Sequence, residues 1–256
     1  MKSRKKKEAV DLEELSNFYT GYRTAKLSHK PHIRKYNRAR ALHFQTLNEC
    51  QDYLEESGYD LPRSEKYIKG LLDKAPVTGT WGRVIKSSYD METKSGTHAA
   101  FEILIYGSDP SYKGSAEILA EKKGINDQEK LRMLKSMQDS VAGLFEVVEV
   151  DEEDAYVHLK EVFTGREFKS IDIAMTNTTN ALHLYMFLRI ITFRNQSFGT
   201  GLNIPFRKTD PFIVSYIDEQ KKSVAPVDNY IMVSELYNQY TQDADHVKYF
   251  TNTFTE

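Results

Sequence analysis

The sequence predicts an α+β fold: a helical N-terminal half, a small antiparallel five-stranded barrel-like module, and a C-terminal helix. Three observations carry this expectation. From Gly143 to Ile173 the chain alternates apolar and polar residues in three short runs separated by turn-forming residues, the pattern of a half-buried meander. From Pro31 to Ser57 the apolar residues recur instead at helical spacing. And 40% hydrophobic residues, with 16 Tyr and 13 Phe beside 28% charged residues, suit a folded chain able to bury a core.

In chain order, Glu8–Tyr22 reads as a first amphipathic helix, with Leu12, Leu15 and Tyr22 on one side. The second helix starts at Pro31, where a missing N–H costs nothing, and Gly58 ends it. Along it Ile33, Tyr36, Phe44, Leu47, Cys50 and Leu54 form the expected inner face. Ser64 caps a third helix over Glu65–Asp73, and Pro76 forbids its continuation. Residues 96–107 read as a short buried helix between two glycines, and helical pattern returns over Ser115–Lys123 and Asn126–Val141. Asn126 with Glu129 three residues on matches a capping box.

The meander follows. Phe145, Val147, Val148 and Val150 make its first strand, and four consecutive acids, Asp151–Asp154, repel one another and turn the chain. In the second strand Ala155, Val157 and Leu159 alternate with Tyr156, His158 and Lys160. Thr164-Gly165 supplies the positive φ of the next reversal, and Phe168, Ile171 and Ile173 mark the third strand. Leu182–Phe193 and Asn203–Ile217 are the two remaining strands, joined through Gln196–Gly201. After Pro226 a last helix runs from Tyr230 to Phe250. The expected divisions are 1–141 helical, 142–217 the β module and 218–256 a helical extension.

Composition excludes several classes of function. Cys50 is the single cysteine, so neither an internal disulfide nor a multi-cysteine metal cage can form. The basic opening MKSRKKK is not followed by the apolar stretch of a signal peptide. The longest apolar run, Ala181–Phe193, contains His183 and Arg189 and falls short of the ~20 residues a membrane helix needs. The expectation is a cytoplasmic protein with no membrane partner.

The block Phe145–Asp172, FEVVEVDEEDAYVHLKEVFTGREFKSID, with LYMFLRIITF at 184–193 downstream, resembles a group of uncharacterised bacterial (or phage-borne) proteins in which a helical half precedes a small β module. Some of those proteins end in a cysteine-rich SEC-C zinc tail. With Cys50 alone this chain lacks that tail, so the resemblance implies a layout and no inherited activity.

Charge gives the strongest functional signal. The net charge of −2 hides a front end rich in cations: residues 16–48 contain seven Lys/Arg and no acid. Those cations are Arg23, Lys26, Lys30, Arg34, Lys35, Arg38 and Arg40, interleaved with aromatics that include Tyr36 and Phe44. Arg34 and Arg38 are i,i+4 neighbours suited to bracketing phosphates, and a tyrosine face can stack on a base. The expected function is therefore a non-catalytic binding protein whose basic helices engage nucleic acid or an acidic protein. The competing expectation is a solvated face balanced by the chain's own acids.

An enzyme can also be read from the meander. Asp154 followed by Glu167-Phe168-Lys169 has the acid…acid-x-Lys order of metal-dependent nucleases, in which two carboxylates hold Mg²⁺ and the lysine polarises the attacked group. No cofactor is expected outside that alternative. A third reading is an oligomeric structural protein assembling through the C-terminal helix. His29/His32, His98/Glu102 and His158/Glu161 supply too few ligands, or the wrong faces, for a metal site. Cys50, among Leu47 and Leu54, reads as a core thiol.

Overall fold

The computed structural model describes residues 24–56, 102, 104–107, 113–122, 125–178 and 180–222. The helices expected over Glu8–Tyr22, Glu65–Asp73 and Tyr230–Phe250 lie outside the described residues, as does Arg23. The architecture is α+β, with helices packed on a closed five-stranded barrel. Its helices are α1 (Pro31–Glu56), α2 (Ser115–Glu121), α3 (Gln128–Gln138) and α4 (Pro211–Lys222). Residues 102 and 104–106 are also helical. The strands are β1 (Val141–Asp151), β2 (Tyr156–Glu161), β3 (Glu167–Ile171), β4 (Leu184–Phe193) and β5 (Gln196–Arg207).

The barrel closes in the order β1-β2-β3-β5-β4. It is mixed rather than purely antiparallel, because β3 and β5 pair in parallel through Ser170/Ser197 and Ile171/Phe198. A parallel contact needs a crossover, and the segment after β3 provides it through two 3₁₀ turns, Met175–Asn177 and Ala181–His183. The result is a five-stranded Greek-key barrel of the OB type. β1 serves two partners: Val141–Glu146 pairs with β4 and Phe145–Asp151 with β2. A bulge between Val147 and Glu149 gives the strand the bend that this double duty requires.

Two apolar clusters follow from strand alternation. One fills the barrel: Phe145, Val147, Val157, Leu159, Phe168, Leu188 and Ile190 all point inward. The other lies outside it, where Phe187 and Ile191 of β4 and Phe198, Ile204 and Phe206 of β5 meet the helices. Strand β4 is buried on both faces, which is why its sequence is continuously apolar rather than alternating.

Three elements differ from their expected form. Gln196–Gly201 is part of β5, not a loop, and the reversal sits one step earlier, at Arg194-Asn195 with φ of 48° and 65°. Both residues being left-handed is the geometry of a type I′ turn, whose usual sequence sign is a glycine. Pro211–Lys222 is a helix rather than the end of a strand. Pro211 suits a helix start, and Ile213 and Ile217, one turn apart, are the buried pair. At α3 the cap is Asp127, not Asn126, accepting from the N–H groups of Glu129 at 2.9 Å and Lys130 at 3.2 Å, and Val141 already belongs to β1.

The turns of the meander fall where they were expected. Asp151 accepts the Asp154 N–H at 2.9 Å within the acidic turn, and Gly165 has φ of 71°. Glu161 faces inward and accepts from the Phe163 and Thr164 N–H groups, so it stabilises the β2–β3 reversal rather than joining His158 on the outer side.

Candidate polyanion interface

Helix α1 sets the geometry of the basic segment. Its inner stripe is Ile33, Tyr36, Ala39, His43, Thr46, Cys50 and Leu54, all buried. Phe44, expected inside, is 45% exposed, and His43 takes the inner position. The exchange has a polar cause: His43 Nε2 hydrogen-bonds the Tyr106 hydroxyl at 2.8 Å, and its ring meets Phe198 edge-on at 5.8 Å. Burial holds the imidazole at a pKa of about 4, so it is neutral at physiological pH and compatible with an apolar surround.

Tyr36 is also removed from the expected surface. Only 5% exposed, it packs edge-on against Phe198 at 6.0 Å, and its hydroxyl accepts from Arg40 Nη1 at 2.9 Å. A buried ring cannot stack on a ligand's base. Arg40 is half-buried; its guanidinium lies over the Tyr36 ring at 5.7 Å and the Phe44 ring at 5.1 Å.

Lys30 is likewise committed within the chain. Its Nζ donates to Asp154 Oδ1 at 2.6 Å and to the Glu153 carbonyl at 2.7 Å. Each charge strengthens the other: the Lys30 hydrogen bond draws the Asp154 carboxyl below its ordinary value, and Asp154 raises Lys30. His32 joins this clasp through the Asp154 carbonyl at 2.9 Å and stacks on Tyr156 at 5.1 Å, while Gln196 donates to the His32 carbonyl at 2.9 Å.

What remains is a smaller set of cations. Lys26, Arg34, Lys35 and Arg38 are exposed, and no carboxylate among the described residues pairs with them. Arg34, Lys35 and Arg38 sit on the outer side of α1, whose inner side is buried against the barrel and whose start is bonded to the β1–β2 turn, and Lys26 lies in the helical turn 24–27 before it.

The nuclease set is not brought together. Asp154 lies in the β1–β2 turn, whereas Glu167 pairs with Lys160, four positions along β2 from Tyr156. At ~3.3 Å per residue the two carboxylates stand well over ~10 Å apart, too far to share one ion. Lys169 shares the outer face with Glu167, as alternation requires, but its Nζ lies over the Tyr156 ring at 4.1 Å. Among the described residues no group of three or more His, Cys, Asp or Glu could hold a metal.

The model of a family of unknown function, DUF7986, matches residues 84–244, more than half of the chain. The chain belongs to DUF7986. No curated protein and no solved structure matches it. The DUF7986 region takes in the whole barrel together with α2, α3 and α4, and it begins after α1. The barrel is thus the shared part, while the cationic face is read from this chain's own residues.

Within the DUF7986 region one polar cluster carried no sequence signal. Arg189, in the middle of β4, faces the helices between Phe187 and Ile191, and its Nε donates to Glu102 Oε2 at 3.2 Å. The two side chains are 5% and 7% exposed. Arg189 Nη1 donates to the Ser140 hydroxyl at 2.8 Å, its guanidinium lies over Tyr106 at 4.5 Å, and the Thr200 hydroxyl donates to Glu102 Oε1. Through Tyr106 this cluster reaches His43 of α1. It ties barrel to helices, with Glu102 held by a guanidinium partner. Cys50 is equally unreactive, its buried thiol pushed up to about 12.

Among the described residues no helix is long and apolar enough to cross a membrane.

Proposed function

We propose that this protein is a non-catalytic binding protein that engages an anionic partner through the outward side of α1. The observation that carries the reading is the contrast between Lys30, paired with Asp154, and Lys26, Arg34, Lys35 and Arg38, exposed without a carboxylate partner among the described residues. A chain that meant only to neutralise its own acids would place these cations beside them. The acids are close to hand: β1 and the turn after it carry Glu149, Glu152 and Glu153, all exposed. Among the described residues no ion pair joins Lys26, Arg34, Lys35 or Arg38 to them.

The barrel's architecture does not supply the partner. OB barrels commonly bind along the β2–β3 face and its flanking loops; here the β1–β2 turn carries four acids, Asp151–Asp154, and the outer β2–β3 face sets Glu167 beside Lys160 and Lys169. A polyanion is repelled by that turn and attracted to the exposed cations of α1. A cytoplasmic setting belongs to the same reading, since nucleic acids and acidic proteins are abundant there.

Heparin, which presents negative charge without bases, tests the charge alone. The full chain should bind it with an affinity that falls steeply with salt; four contacts imply a log–log slope of roughly −3. The double variant Arg34→Glu/Arg38→Glu should weaken binding at least tenfold and flatten the slope by about two, with its circular dichroism unchanged. Salt-independent binding, or indifference to the two reversals, refutes the proposal.

A further inference from the structure

We infer that the partner is single-stranded nucleic acid, held by its phosphates at Lys35, Arg34 and Arg38 and stacked through a base on Phe44; this rests on the anionic-partner reading above. Lys35, Arg38, Ala41 and Phe44 follow one another at i, i+3 spacing, and all four are exposed. On a helix such residues form a continuous oblique ridge, inclined at ~45° to the axis. Two cations therefore lead, across the small side chain of Ala41, to an exposed aromatic ring. Arg34 stands one turn before Arg38 and widens the cationic end.

Phe44 has no polar atom, so it recognises only a flat or apolar face. At 45% exposure it is among the few large hydrophobic side chains left outward in the described residues. It is also held in place. Arg40 lies over the ring at 5.1 Å and is itself hydrogen-bonded to the hydroxyl of buried Tyr36, so a chain of contacts runs from the core to the platform. A rigid ring beside exposed cations fits a ligand with negative charge and accessible π-faces together. Single strands offer both, whereas a duplex stacks its base faces internally.

The test uses the full chain and three fluorescent probes: an oligothymidylate, an abasic deoxyribose-phosphate strand of equal length, and a duplex. Wild type should bind the oligothymidylate roughly tenfold or more tightly than the abasic strand, in keeping with one stacked base. Phe44→Leu should lose that preference while keeping its abasic affinity, and Phe44→Trp should retain it. Arg34→Glu/Arg38→Glu should weaken all three probes. The single-strand assignment is overturned if Phe44→Leu binds oligothymidylate as wild type does, or if wild type binds duplex or abasic strand as tightly as oligothymidylate. Those outcomes leave the heparin result untouched, so the two readings fail separately.

Discussion

Replacing Arg189 by Met should destabilise the fold by about 3–5 kcal/mol, the typical loss when one member of a buried ion pair is removed. The structure places this pair in that class. Both side chains are at least nine-tenths covered, and Arg189 makes directed bonds to Glu102 and Ser140 while lying over Tyr106. In the variant Glu102 keeps the Thr200 hydroxyl but loses the Arg189 guanidinium, so a carboxylate buried at the helix–barrel junction is deprived of that charge. Urea unfolding should report a midpoint lower by ~1 M or more, given slopes of ~1–3 kcal/mol per molar. Two controls separate this cause from lost packing. Glu102→Leu combined with Arg189→Met should recover most of the loss, because exchanging both charges for apolar groups removes the stranded ion. Lowering the pH should also narrow the gap between Arg189→Met and wild type, since Glu102 without the guanidinium can then bind a proton on folding. A single-variant loss under ~1 kcal/mol, or a double variant no better than the single, would refute the claim that the pair is desolvated and coupled.

The buried His43 sets the acid side of the stability curve. Its folded pKa of about 4 lies below the ordinary ~6.5, so the unfolded chain takes up its proton first and stability falls as pH drops between those values, by about 3 kcal/mol in all. Urea midpoints of wild type and His43→Phe should diverge in slope across that window, and parallel curves would contradict the assignment. The Lys30–Asp154 clasp makes the opposite kind of statement about place: it should hold the start of α1 locally. Asp154, depressed by the Lys30 hydrogen bond, keeps the clasp above its ordinary value and loses it as pH falls through the lowered one. Asp154→Asn should therefore speed amide exchange at 32–34 with little change in global unfolding, and unchanged exchange there would show that the clasp does not restrain the helix.

The parts legible in the sequence were those governed by local rules. The meander was readable because alternation, four adjacent acids and Thr164-Gly165 each dictate the same turns. The start of α1 was readable because Pro31 opens it and a heptad-like stripe sustains it, while its expected stop at Gly58 lies outside the described residues. The misreadings arose where distant partners decide. At 43 and 44 helical periodicity fits either residue, and hydrophobicity favours Phe; Tyr106, 63 positions away, reverses the choice by hydrogen-bonding the histidine. The β4–β5 reversal escaped notice because Arg194-Asn195 takes left-handed geometry without glycine. The parallel β3–β5 contact follows from barrel closure, which no local pattern encodes. Arg189 looked like an interruption of an apolar run; its partner Glu102 lies 87 positions earlier.

The same distant contacts decide which cations stay exposed and which are bonded within the described residues. Lys30 and His32 bind the β1–β2 turn, Gln196 holds the His32 carbonyl, and His43 is bonded to Tyr106 half-way along the helix. A helix fixed at its start and its middle cannot roll about its axis without breaking one set or the other. With rotation excluded, helical geometry alone determines that Arg34, Lys35, Arg38 and Phe44 point outward, because they lie off the stripe that Ile33, Tyr36, Ala39 and His43 bury. The acidic turn thus has a definite part in the surface chemistry. By taking up Lys30 it neutralises one cation and sets the azimuth of the remainder, so the segment's positive charge is divided between anchoring the helix and facing a partner.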